Sequence, residues 1–151
     1  MIVKFFPLVV QRDWPWVSQT LGVKLCEDTK GIVAVDVESN APVAVCVLDS
    51  WSHTSVQAHI RVIRKMALRH GFLEEVANYV YGTCGKEVMI GVVPGNNEAA
   101  LKLDKHIGFT EMHRVKDGFD HGVDYVIMEM RKEDCPWYGE QPALKEVKSG
   151  R

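Results

Sequence analysis

The stretch Val88–Phe109, VMIGVVPGNNEAALKLDKHIGF, decides how this chain reads. It opens with an apolar, β-branched run, Val88 to Val93, that stops at Pro94-Gly95. Short apolar runs bounded by Gly and Pro read as buried strands. Two asparagines follow, then apolar residues at helical spacing: Ala99, Ala100, Leu103 and Ile107. Asn96 or Asn97 is a natural helix cap, because its side-chain oxygen accepts from the first free amides. Gly108 stands where a helix takes a positive φ to stop. The segment predicts strand, tight turn, capped helix and next strand.

Working outward, residues 2–6 predict a strand that Pro7 ends or confines to an edge. The apolar start is short and lacks a small-residue cleavage site, so it reads as a strand and not as a signal peptide. Asp13 is expected to cap a helix through about Gly22, with Pro15 in its first turn between Trp14 and Trp16. Gly31–Val37 and Pro42–Leu48 predict a hairpin around Glu38-Ser39-Asn40-Ala41, and Asp49–His53 a second turn. Thr54–Val62 alternates cleanly: Ser55, Gln57, His59 and Arg61 point one way, Val56, Ala58, Ile60 and Val62 the other. Ala67–Tyr81 predicts a helix with Leu68, Phe72, Val76 and Val80 on one face. Thr110–Val115 and Asp124–Arg131 predict a terminal hairpin around a polar loop, residues 116–122. One domain over residues 1–132 is expected, with a polar tail over 133–151, irregular and partly disordered.

The spacing Asn97-x-x-Ala100-x-x-Leu103-x-x-x-x-Gly108-Phe109 resembles a segment of the GCN5-related N-acetyltransferases that reads N-x-x-A-x-x-L-Y-x-K-x-G-F. Five positions match, and Asp104 stands in place of the tyrosine. The element order β-α-β-β-β-α-β-α-β-β is similar to that fold over about residues 1–132, minus one of two early helices. The resemblance implies an α/β (α+β) architecture: a mixed, mostly antiparallel sheet of six to seven strands flanked by about three helices.

It also implies a use. Such enzymes move an acetyl group from acetyl-CoA to a primary amine, on a small molecule or on a protein lysine or N-terminus. Carried onto this chain, the cofactor's arm would pair with the splayed strand at Ile60, Arg61 and Val62. The pyrophosphate would lie against Val62–Gly71, where Arg64, Lys65, Arg69, His70 and Gly71 stand in place of the family's glycine-rich Q/R-x-x-G-x-G/A loop. Asn97 would attend the sulfur end. His59, on the polar face of its strand, is the candidate base, because imidazole titrates in the useful range. Its competing reading is a histidine bonded to a neighbour on a half-buried sheet. Asp104 is the candidate acid, a role an ordinary ionised carboxylate fills poorly unless burial raises its pKa. Glu38, Asp49, Asp117 and Asp120, in expected loops, are candidates to attract a cationic amine. The missing glycines and tyrosine leave a second reading open, a catalytically eroded protein of this fold that binds or assembles.

Bulk properties bound the rest. A chain of 151 residues, 46% hydrophobic and 25% charged, is an ordinary globular domain. No apolar run reaches the ~20 residues of a membrane span, so no membrane association is expected. Four scattered cysteines without a C-x-x-C pair suit reduced thiols and a cytoplasmic setting. Six histidines show no zinc spacing, and no metal is expected. A net charge of −2 gives no long-range pull toward nucleic acid. A third reading, nucleic-acid binding through residues 61–70, rests on one basic cluster. The resemblance leaves room for a homodimer.

Overall fold

The computed structural model describes residues 1–139. Seven strands form one sheet in the order β1-β2-β3-β4-β5-β7-β6. They are β1 (Val3–Pro7), β2 (Lys30–Asp36), β3 (Ala41–Asp49), β4 (Ser55–Val62), β5 (Val88–Pro94), β6 (Thr110–Asp120) and β7 (Val123–Arg131). All neighbours are antiparallel except β4 and β5. The helices are α1 (Val10–Leu21), the single turn α2 (Met66–Arg69), α3 (Phe72–Ala77), which runs into a π-helical turn at Asn78–Thr83, and α4 (Glu98–Ile107). The expected mixed, mostly antiparallel sheet is borne out, as is the element order along the chain, with the middle helix divided. No helix among the described residues is long and apolar enough to cross a membrane.

Strand alternation gives the sheet two faces. On one, Val33, Val45 and Val47 pack under Val17 of α1, with Trp14, Trp16 and Leu21 at the margin. On the other, Ile32, Ala44, Cys46, Leu48 and Ile60 meet Phe72, Val76 and Val80, and the same cluster continues through Met89, Val93 and Met128 to Leu101 and Ile107 of α4. Phe72 is fully buried, and removing such a ring costs on the order of 3–5 kcal/mol.

Four expectations need correction. Asp13 lies inside α1 and does not begin it; its buried carboxylate accepts from the Val9 N–H at 2.8 Å, one turn back. The helix expected over Ala67–Tyr81 is broken, because Gly71 takes φ +89° between α2 and α3. The expected polar loop 116–122 is mostly strand: β6 runs to Asp120 and turns back through His121-Gly122, absorbing the extra residues in register shifts. Asp49 is the last residue of β3, and not part of a turn. The α4 expectation holds in detail, with Asn97 Oδ1 accepting from Ala100 N–H at 3.2 Å and Gly108 closing the helix.

Past β7 the chain stays on the body. Cys135 is buried, Trp137 Nε1–H donates to the Ile107 carbonyl at 2.7 Å, and Tyr138 packs on Tyr81. Tyr81 in turn donates its hydroxyl hydrogen to the Met130 carbonyl. Residues 140–151, the remainder of the expected tail, lie outside the described residues.

Gly108 combines φ +121° with a tight site, since a Cβ there would stand 3.0 Å from Met130 Sδ. Gly108→Ala should therefore destabilise by about 1–3 kcal/mol. Thermal denaturation checks this, and an unchanged melting temperature would contradict it.

Candidate active site

β4 and β5 lie side by side only where Ser55–Gln57 face Val88–Ile90. Beyond that each follows its other neighbour, β4 staying with β3 as far as the Val62–Ala44 pair and β5 with β7 as far as Pro94–Tyr125. The two strands open into a wedge. Its inner edges, around Ile60–Val62 and Gly91–Val93, carry main-chain groups that the facing strand does not pair. Such groups need water or a ligand as partner.

One side of the wedge carries His59. It lies opposite Val47 and so shares the α1 face of the sheet. Its Nε2 is 3.1 and 3.2 Å from the two carboxylate oxygens of Asp49, a residue only 5% exposed. Ser50 Oγ donates to the same carboxylate at 3.1 Å. A carboxylate accepts only, so Nε2 carries the hydrogen and the neutral ring keeps its lone pair on Nδ1. Register explains the pairing: Asp49 opposes Gln57, and His59 is the diagonal neighbour on the same face.

The other side carries Asp104. It projects from α4 toward Gly91, where a Cβ would stand 3.6 Å from Asp104 Oδ2 and 3.9 Å from the Phe109 ring. The absence of a side chain at Gly91 leaves room for the carboxyl against β5. Asp104 is 8% exposed, and burial alone pushes its pKa from 3.8 up to about 7. The sheet thus separates an imidazole from a carboxyl that still holds a proton in a large share of molecules near neutral pH.

The remaining expected residues fall into two groups. Ile60, Arg61 and Val62 lie on the unpaired length of β4. Arg64, Lys65, Arg69, His70 and Gly71 form the connection to α3, which hugs β3 at its start: Ile63 and Arg64 N–H both donate to the Val43 carbonyl. Arg64 Nη1 is 3.7 Å from Asp36 Oδ2 on the β2–β3 hairpin. Asn97 is occupied as the α4 cap. Of the other carboxylates, Glu38 sits 3.9 Å from the terminal amine, while Asp117 and Asp120 accept from the Gly122 and His121 backbone amides. Two site features escaped the sequence reading. Asp49 reads as a turn residue in the sequence, which hides its pairing with His59, and the space over Gly91 has no signature in one sequence.

A carboxyl with a raised pKa stabilises the fold where it stays neutral. Asp104 should contribute fully below pH ~4, its unfolded range, and lose that contribution as pH rises through about 7. Asp104→Asn removes this dependence. Relative to wild type, the variant should gain stability as pH rises from about 4 to about 7 and hold that gain above, with a limit near 1.4 kcal/mol per unit of pKa shift. Denaturant melts at several pH values test it, and a gap independent of pH would contradict it.

The fold has solved counterparts. The spermidine/spermine N-acetyltransferase SpeG of Vibrio cholerae, crystallised with manganese ions, superposes with a TM-score of 0.69 over 87% of this chain and 93% of that one, at 12% identity. The spermidine N-acetyltransferase of the same organism, in complex with CoA and spermine, gives a TM-score of 0.69 over 87% and 96%, also at 12% identity. No protein-family model and no curated protein matches the chain. At that identity the likeness speaks for architecture, and the chain has the fold of the GCN5-related N-acetyltransferases.

Proposed function

We propose that this protein transfers an acetyl group from acetyl-CoA to a primary amine, with His59 as base and Asp104 as acid. One observation carries the proposal: a histidine held by a buried carboxylate stands on one strand bordering the wedge, and a buried carboxyl with a raised pKa stands against the other. The solved counterpart that holds CoA and spermine supports it by analogy of fold.

The wedge suits the cofactor on its own terms. Main-chain groups of Ile60 and Val62, which point away from β3, match an arm built of amides, each hydrogen bond adding about 0.5–1.5 kcal/mol net. Arg64, Lys65, Arg69 and His70 put positive charge near the strand's end for phosphates, and Gly71 supplies the positive φ of that turn. Acetyl-CoA, when bound, supplies an acetyl group activated as a thioester.

The chain's residues then manage two protons. His59 Nδ1 takes one from the attacking amine, Asp49 stabilising the imidazolium that forms. Asp104 gives one to the departing sulfur. The N–C bond forms as the C–S bond breaks, and the balance closes on an amide and a free thiol. Backbone amides near Ile60 and Val62 are placed to polarise the carbonyl. An acid with a pKa near 7 is matched to neutral conditions, where an ordinary aspartate would have no proton to give.

A second reading, a fold kept for binding with its chemistry eroded, is favoured by the engagement of Arg64 with Asp36 and by the lack of a glycine-rich loop. Calorimetric titration with acetyl-CoA comes first. Micromolar binding supports the transferase, and no binding at millimolar ligand supports the alternative. Thiol release in the presence of a free peptide or spermidine tests the roles. His59→Ala should lower kcat by roughly 100-fold or more with little change in acetyl-CoA affinity. Asp104→Asn should lower kcat and erase its decline above pH ~7. Unchanged kcat in both variants would refute the assignment.

A further inference from the structure

The face of the sheet that carries His59 continues past the wedge with nothing among the described residues packed on it. α1 covers β2, β3 and β4, where Val33, Val45 and Val47 are fully or almost fully buried. Register places Ile90 and Val92 of β5, then Tyr125 and Ile127 of β7, on the same face, and all four are half-exposed. Val115 of β6 opposes Tyr125 and is 43% exposed; Phe119, 50% exposed, stacks edge-on against the Tyr125 ring at 5.5 Å. An apolar strip therefore runs from the base to the outer strand.

The charges beside that strip do not suit a polycation. Glu129 is tied to Arg131 at 3.0 Å, Asp49 to His59, and Asp120 to the backbone of its own turn. Arg61 opposes Val45 and so adds positive charge to the same face. An acceptor with several ammonium groups would meet no cluster of uncommitted carboxylates there.

Reach decides the size of the acceptor. From β4 across β5 and β7 to β6 is three strand spacings, roughly 15 Å. An amine on one aromatic ring placed at His59 cannot touch Val115 or Phe119 over that distance. An extended polypeptide advances about 3.3 Å per residue, so four to five steps bring its fifth or sixth residue there. The amine's own chemistry points the same way. An α-amino group has an ordinary pKa near 8, against about 10.4 for a lysine, so far more of it is already neutral for an imidazole to complete the deprotonation.

Resting on the transferase reading above, we infer that the acceptor is the N-terminal amine of a polypeptide that lies across β5 and β7 and sets apolar fifth and sixth residues on β6. The test uses the full chain with acetyl-CoA and three acceptors. These are a hexapeptide amide with leucine and phenylalanine at its fifth and sixth positions, its counterpart with serine at both, and spermidine. The apolar hexapeptide should exceed the other two in kcat/KM by roughly tenfold or more. That advantage should disappear in Val115→Ser/Phe119→Ser, two exposed positions whose substitution spares the core. Equal values for the two peptides, or a preference for spermidine, would overturn the inference. So would a wild-type protein that binds acetyl-CoA by calorimetry yet acetylates none of the three, an outcome that leaves the cofactor reading standing. Failure to bind acetyl-CoA at all would remove that reading and this inference together.

Discussion

The parting of β4 from β5 is the constraint on which everything else depends. Parallel neighbours need a crossover, here α2, α3 and the π-helical turn, and the two strands begin that crossover in register at Ser55–Gln57. Beyond those residues each stays paired with its other partner, β4 with β3 and β5 with β7. The wedge lies between two intact antiparallel ladders.

Side-chain alternation turns that wedge into a two-sided site. Positions 59 and 91 point to opposite faces, so a histidine on one strand and a space for a buried carboxyl against the other follow from parity once the register is set. The two faces differ in dielectric character. His59 keeps partial exposure and a carboxylate partner, Asp49. Asp104 is buried between α4 and β5, and that burial raises its pKa to about 7.

The sheet and α4 were legible because their signals are local. The alternation of Thr54–Val62, the apolar run Val88–Val93 and the Asn97 and Gly108 caps each state a structure within ten residues or so. The misses were non-local. The break at Gly71 competes with good helical spacing on both sides, and only backbone geometry reveals that its φ is positive. Asp49 looked like a turn residue because a hairpin's register, and so the diagonal partner of His59, depends on a loop length that composition does not fix. The burial of Asp104 required α4 to fold back over Gly91 of β5, a docking angle between consecutive elements that neither element's own pattern states. Residues of the basic connection were found, but the draw of Asp36 on Arg64 was not.

The most direct test of this account is backbone hydrogen exchange with and without acetyl-CoA, read at single-residue resolution. Protection should appear on the inner edges of the wedge, at Ile60 to Val62 and Gly91 to Val93, while amides of the β1–β2 and β6–β7 ladders change little. Protection confined to those outer ladders, with the wedge amides unaffected by saturating ligand, would contradict it.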